Sequence, residues 1–126
     1  MKVKLCFVTN SSSTSYTLGI KNVGDNIEKT LSSKLKVKLL MDVDLSKFQD
    51  SMLKNEEELD GWYTRNHGKN YKNLEEYKKS LEIIKEGGIV VILYINSDSY
   101  DGISTIIYDI GIENLELPQD VEIIGR

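Results

Sequence analysis

The residues best equipped for chemistry lie in the run Trp62-Tyr63-Thr64-Arg65-Asn66-His67-Gly68-Lys69-Asn70-Tyr71-Lys72. It holds the only Trp and the only His, and it is locally cationic in a chain of formal net charge −4. Trp and Tyr faces stack on any nucleobase, and Arg65, Lys69 and Lys72 carry the charge that holds phosphates. The combination of Trp62, Tyr63, Arg65, His67, Lys69 and Tyr71 therefore suits a nucleotide or a single-stranded segment. The plainer reading is an interhelical loop in which Trp62 caps the core and the charges are solvated. His67 has the right intrinsic pKa for a general base. Paired with a carboxylate such as Asp60, it would make the chain a small nucleotide or phosphoester hydrolase. Cys6 alternates with Leu5 and Phe7 in an apolar stretch and reads as a small core residue.

A second polar segment is Asn10-Ser11-Ser12-Ser13-Thr14-Ser15. Consecutive hydroxyl residues compete with backbone pairing through short side-chain hydrogen bonds, so a solvated hairpin loop is the simplest expectation. The functional alternative is an anion-binding loop, with N–H groups and hydroxyls converging on a phosphate. A phosphate loop of the nucleotide-hydrolase type requires Gly-rich spacing and a Lys-Ser/Thr end, and neither is present. Phe7 to Tyr16 resembles a recurrent opening, Phe-Val-(Thr/Ser)-Asn-Ser-Ser-Ser-Ser-Ser-Phe, of small, mostly uncharacterised proteins from bacteriophages and from clostridial and methanogen genomes. Thr14 stands for a serine and Tyr16 for the usual phenylalanine, and the match covers about the first twenty residues. The resemblance implies a viral or mobile-element origin and transfers no catalytic residue. Together with the small size and the lack of an assembled catalytic set, it gives the expectation of a non-catalytic binding module, an immune-evasion protein that sequesters a nucleotide-type signal or blocks a host protein.

Metal chemistry finds little support. Asn96-Ser97-Asp98-Ser99-Tyr100-Asp101-Gly102 has the look of a calcium loop. With Gly102 at its sixth position, however, the twelfth is Tyr108 where a bidentate glutamate belongs. Glu56, Glu57 and Glu58 are adjacent on a helix and point in different directions. One His and one Cys make a structural zinc site from a single chain unlike any expected arrangement. No metal and no cofactor are expected.

At 126 residues the chain has the commonest size for one domain, and 1–126 reads as a single unit. The apolar and charged fractions, 40% and 29%, are those of a globular protein. A single cysteine allows no internal disulfide, which fits a reducing compartment. The apolar stretch Leu5–Val8 is too short for a signal-peptide core, and the longest apolar run, Ile89–Ile95, is strand-sized. A cytoplasmic protein is expected, in the host cell if viral, without membrane contact. The acidic balance argues against general DNA binding.

The elements that must position these residues follow from periodicity. Residues 3–8 and 16–21 read as strands flanking the serine loop. Asp25 with Glu28 suggests a cap for a short helix over Ile27 and Leu31. Lys34, Lys36 and Lys38 interleave with Leu35, Val37 and Leu39, the alternation of a strand with one apolar face. Something must cover that face, which admits a homo-oligomer. Asp44 caps a second helix through Leu45, Phe48, Met52 and Leu59, ended by Gly61. Asn73 with Glu76 caps a third, through Leu74, Tyr77, Leu81 and Ile84, closed by Gly87-Gly88. Ile89–Ile95 is a central strand buried on both faces, Ile103–Ile110 its antiparallel partner, and Val121–Ile124 a last strand. The order β-β-α-β-α-α-β-β-β predicts an α+β fold: a single mixed, mainly antiparallel sheet of five to six strands with two to three helices packed on it.

Overall fold

The computed structural model describes residues 13–38, 42–96 and 102–125. The fold is α+β, with four α-helices and six strands among the described residues. In chain order these are β1 (Ser13–Ile20), α1 (Ile27–Lys34), β2 (Lys36–Lys38), β3 (Asp42–Asp44), β4 (Gln49–Leu53), α2 (Glu56–His67), α3 (Glu75–Lys85), β5 (Ile89–Asn96), α4 (Gly102–Ile110) and β6 (Val121–Gly125). The main sheet has the order β4-β5-β1-β6 with every pairing antiparallel, and β2-β3 form a separate two-stranded ribbon. The expected single sheet of five to six strands is thus narrower and divided.

Ile89–Ile95 does run through the centre, paired with β1 over its whole length and with β4 on its other side. Alternation splits its side chains between two cores, as period-two geometry requires. Ile89, Val91, Leu93 and Ile95 join Tyr16, Leu18 and Ile20 of β1 beneath α1, α4 and the ribbon. Val90 and Ile92 face the other way, under Leu59 and Tyr63 of α2 and Tyr77 and Ile83 of α3. The sheet is a middle layer with helices on both faces.

Several local expectations are corrected. Ile103–Ile110 is not a strand but α4. Its buried residues, Ser104 and Ile107, stand three apart, while Ile106 and Ile110 face solvent. Helical spacing overrides the β-branched composition. Residues 34–38 do not form one strand: α1 extends to Lys34, and among the described residues Lys36–Lys38 are extended, facing Asp42–Asp44. Leu35 and Val37 are covered by the chain's own core; Leu39 lies outside the described residues. The cap of α1 is Asn26, whose side chain accepts from the Lys29 N–H, rather than Asp25. Lys34 then ties the end of α1 to the β6 side by donating to Asp120 at 2.6 Å and to the Lys21 carbonyl.

The helix expected from Asp44 to Gly61 is two elements with a strand between them. Asp44 does cap, accepting from the Ser46 N–H, but the helix is a 3-10 turn of four residues. Burial tends to raise the Asp44 carboxyl pKa, and hydrogen bonds from Ser46 and Ser32 overcome it and hold it below the ordinary value. β4 follows, and α2 starts afresh from its own cap at Asn55, which accepts from the Glu58 N–H. Gly61 does not end α2 but lies inside it. A Cβ at that position would meet only the Arg65 side chain, at 3.5 Å. Gly61→Ala is therefore expected to stabilise the protein by about 0.5–1 kcal/mol through helix propensity, read as a rise in thermal midpoint of a few degrees.

The third helix begins at Glu75, with Leu74 as the capping residue and no side-chain cap from Asn73. Its buried face is Tyr77, Ser80 and Ile83; Leu74 is exposed. It closes at Gly87-Gly88 as expected: Gly88 N–H reaches the Ile83 carbonyl, Gly87 N–H that of Ile84, and Gly87 takes φ +90°.

Candidate functional site

The site grows from the inner face of α2. Leu59 and Tyr63, four residues apart, are fully buried against the sheet. One further turn places His67 over Tyr63, the rings stacked with centroids 5.1 Å apart and planes 24° from parallel. Trp62 meets Tyr63 edge-on at 4.9 Å and His67 at 5.7 Å. Gly68 at φ +76° ends α2 and turns the chain, a conformation that costs a side chain-bearing residue more than glycine. The following 3-10 turn brings Tyr71 back to 6.2 Å from Tyr63, and Tyr77 of α3 closes the cluster at 5.4 Å from Tyr63 and 5.0 Å from Tyr71. Edge-to-face and offset packing of this kind adds to the stabilisation from buried area.

Two hydroxyl–carboxylate bonds lock the rings. The Tyr63 hydroxyl donates to Glu76 Oε1 at 2.8 Å, and Thr17 of β1 donates to the same oxygen at 3.0 Å. Tyr77 donates to Asp60 of α2 at 2.6 Å. Glu76 thereby joins α2, α3 and the sheet. Gly125 of β6 leaves it room, since a Cβ there would run into the Glu76 carboxylate.

Burial pushes the Tyr63 phenol pKa well up against an opposing hydrogen bond from Ser80, and the Glu76 carboxylate adds to the rise. Burial likewise raises Tyr77, reinforced by Asp60. The fold thus favours the neutral phenols, while the unfolded chain ionises near its ordinary value of 10.0. Stability from these groups is complete below that pH and falls as pH rises above it. A denaturant midpoint that declines from about pH 10 upward, less steeply in Tyr63→Phe, is the expected result.

The residues singled out in the sequence divide into those the fold gathers and those it separates. Trp62, Tyr63, His67 and Tyr71 come together. Lys72 Nζ stands 6.0 Å over the Tyr71 ring, and His67 and Lys69 are exposed. Arg65 does not join them. Two residues along α2 from Tyr63 it is turned by roughly 200°, and it lines a groove beside β4 instead.

Ser13, Thr14 and Ser15 are not loop residues but the start of β1, opposite Asn96, Ile95 and Tyr94. Asn10, Ser11 and Ser12, with the expected strand at 3–8, lie outside the described residues, as do 97–101 of the acidic turn. Ser13 and Ser15 share the parity of Thr17 and so the sheet face that α2 and α3 cover, whereas Thr14 shares that of Tyr16. Along β1, α3 meets Gly19 through Ile83 and Thr17 through Glu76, so its N-terminal end points toward Ser15 and Ser13. Part of the hydroxyl run and the aromatic cluster thus occupy one face and one end of the sheet, with Tyr94, 45% exposed, beside Ser15.

An acid–base pair of His67 with Asp60 is excluded by geometry. Both lie on α2, seven residues or roughly 10 Å apart along its axis, and Asp60 is engaged by Tyr77. Among the described residues no group of three or more His, Cys, Asp or Glu is placed to share a metal ion, and no helix is long and apolar enough to cross a membrane. Sequence reasoning missed Thr17, Glu76, Tyr77 and Tyr94 as parts of this region. Glu76 sits where a capping residue is expected, and its partner Thr17 is 59 positions away, a contact that no local pattern signals. No protein-family model, curated protein or solved structure matches the chain.

Proposed function

We propose that this domain is a binding module that takes up a nucleotide-type ligand at the end of α2. One observation carries the reading: a stack of rings with fully buried Tyr63 at its base ends in an exposed His67 flanked by Trp62, with exposed Lys69 two residues further along the chain and Lys72 over the Tyr71 ring. Ring faces bind bases by stacking, and the nearby ammonium groups complement phosphate. Because Glu76 and Asp60 hold the tyrosines in place, little ordering entropy remains to be lost on binding. Sequestration of a nucleotide signal, the role suggested by the phage-like opening, requires such a surface and no catalytic group. The hydroxyls of Ser13 and Ser15 extend the same face.

A ligand that binds only the folded chain raises its melting temperature by mass action, by about 2.7 kcal/mol of stability at a hundredfold excess over Kd. Across a panel of mono-, di- and cyclic nucleotides, at least one class is expected to raise the midpoint. The shift is expected to shrink in His67→Ala, whose unliganded midpoint stays near that of the parent because His67 is exposed. A panel without any shift would remove the proposal.

A further inference from the structure

The main sheet ends on one side at β4, whose outer edge pairs with no strand among the described residues. Natural edges are blunted by charged side chains, Pro or bulges, and in Gln49-Asp50-Ser51-Met52-Leu53 such features are confined to the start of the strand, at Asp50. The one irregularity in its pairing falls between Gln49 and Ser51, which leaves Ser51–Leu53 as regular edge. A groove opens on each face of that edge. The first, of about 620 Å³, separates Ser51–Leu53 from α2, where Gly61 leaves out a side chain. The second, of about 680 Å³, lies between Gln49, Met52 and the start of α1. An added strand sends successive side chains to opposite faces, so the two grooves are placed to receive alternate side chains of one extended segment.

Charge selects the occupant. Asp25, Glu28, Glu57 and Glu58 line these grooves against only Lys54 and Arg65. We propose that the β4 edge binds an extended basic peptide of a partner protein by strand addition. Main-chain hydrogen bonds along Ser51–Leu53 give the register, and Lys or Arg side chains on both faces meet the carboxylates. This edge is separate from the aromatic end of α2, so either proposal can fail while the other stands.

The test is titration of a short peptide of repeating Lys-Lys-Val-Val, which presents Lys to both faces of an added strand, into the full chain, followed by calorimetry and backbone amide NMR. Saturable binding is expected, with amide shifts concentrated at 49–53 and around Gly61, weakening as salt rises. Charge reversal by Glu57→Lys and Glu28→Lys should weaken it several-fold, and the same peptide with Glu in place of Lys should not bind. Absence of binding, equal binding of the acidic peptide, or shifts lying elsewhere would overturn the proposal. So would outward amides of 51–53 already protected in the free chain, or self-association of the protein through β4.

Discussion

Tyr63→Ala is expected to lower the unfolding free energy by about 3–5 kcal/mol, the range for removing a buried aromatic ring. The ring is fully buried and contacts Trp62, His67, Tyr71 and Tyr77, so its loss opens a cavity that four neighbours border. Collapse of the site is restricted because Tyr77 is held by Asp60 and Glu76 by Thr17. Tyr63→Phe isolates the hydroxyl. It removes one of the two donors to Glu76 Oε1 and should cost about 1.5–3 kcal/mol, as for a hydrogen bond to a charged acceptor. Urea titration of both variants separates ring from hydroxyl. Equal losses would mean that packing of the ring contributes nothing beyond the hydrogen bond, contrary to the geometry.

Gly88→Ala is expected to cost about 3 kcal/mol, the upper end for overpacking. A Cβ at Gly88 would lie 2.5 Å from the Ile20 carbonyl oxygen and 2.8 Å from Ile83 Cγ2. The first is backbone of β1, an inner strand paired on both sides, and cannot turn aside. The second belongs to the residue whose carbonyl Gly88 itself bonds at 2.9 Å. Relief therefore requires movement of the helix end or of β1. For a domain of this size the midpoint should fall by about 10 °C. Gly61→Ala carries the opposite sign with the same chemical change, because its Cβ faces open groove rather than a carbonyl. Calorimetry of the two side by side tests whether local space decides the outcome.

The fold class was legible because hydrophobic periodicity acts locally. Ile89–Ile95 is apolar at both parities and, apart from exposed Tyr94, is buried on both faces as a result. The close of α3 was legible because Gly87 and Gly88 satisfy the last carbonyls in a way few other residues allow. Ile103–Ile110 misled because composition and spacing disagree there: its isoleucines favour a strand, while the pattern of Ser104 and Ile107 inward against Ile106 and Ile110 outward is helical. β4 was hidden because an edge strand with one irregular pairing need not alternate, so its Met52 and the later Leu59 mimic one helix face. The two caps, Asp44 and Asn55, mark the division. In the candidate site the rings were visible as a run of residue types, whereas their arrangement was not. Arg65 leaves the group because of helical angle, and Glu76 enters it through contacts with Tyr63 and Thr17 that only the tertiary fold creates.

Trp62 is the only tryptophan in the chain and touches both Tyr63 and His67, so its fluorescence reports on the proposed ligand surface alone. The most direct measurement is emission of Trp62 during titration with the nucleotide panel, in the parent and in His67→Ala. A saturable change with at least one nucleotide, much weakened in His67→Ala while the folded baseline persists, is the predicted result. Emission that stays constant across the panel, or changes identically in both proteins, would contradict the claim that ligands stack on the end of α2.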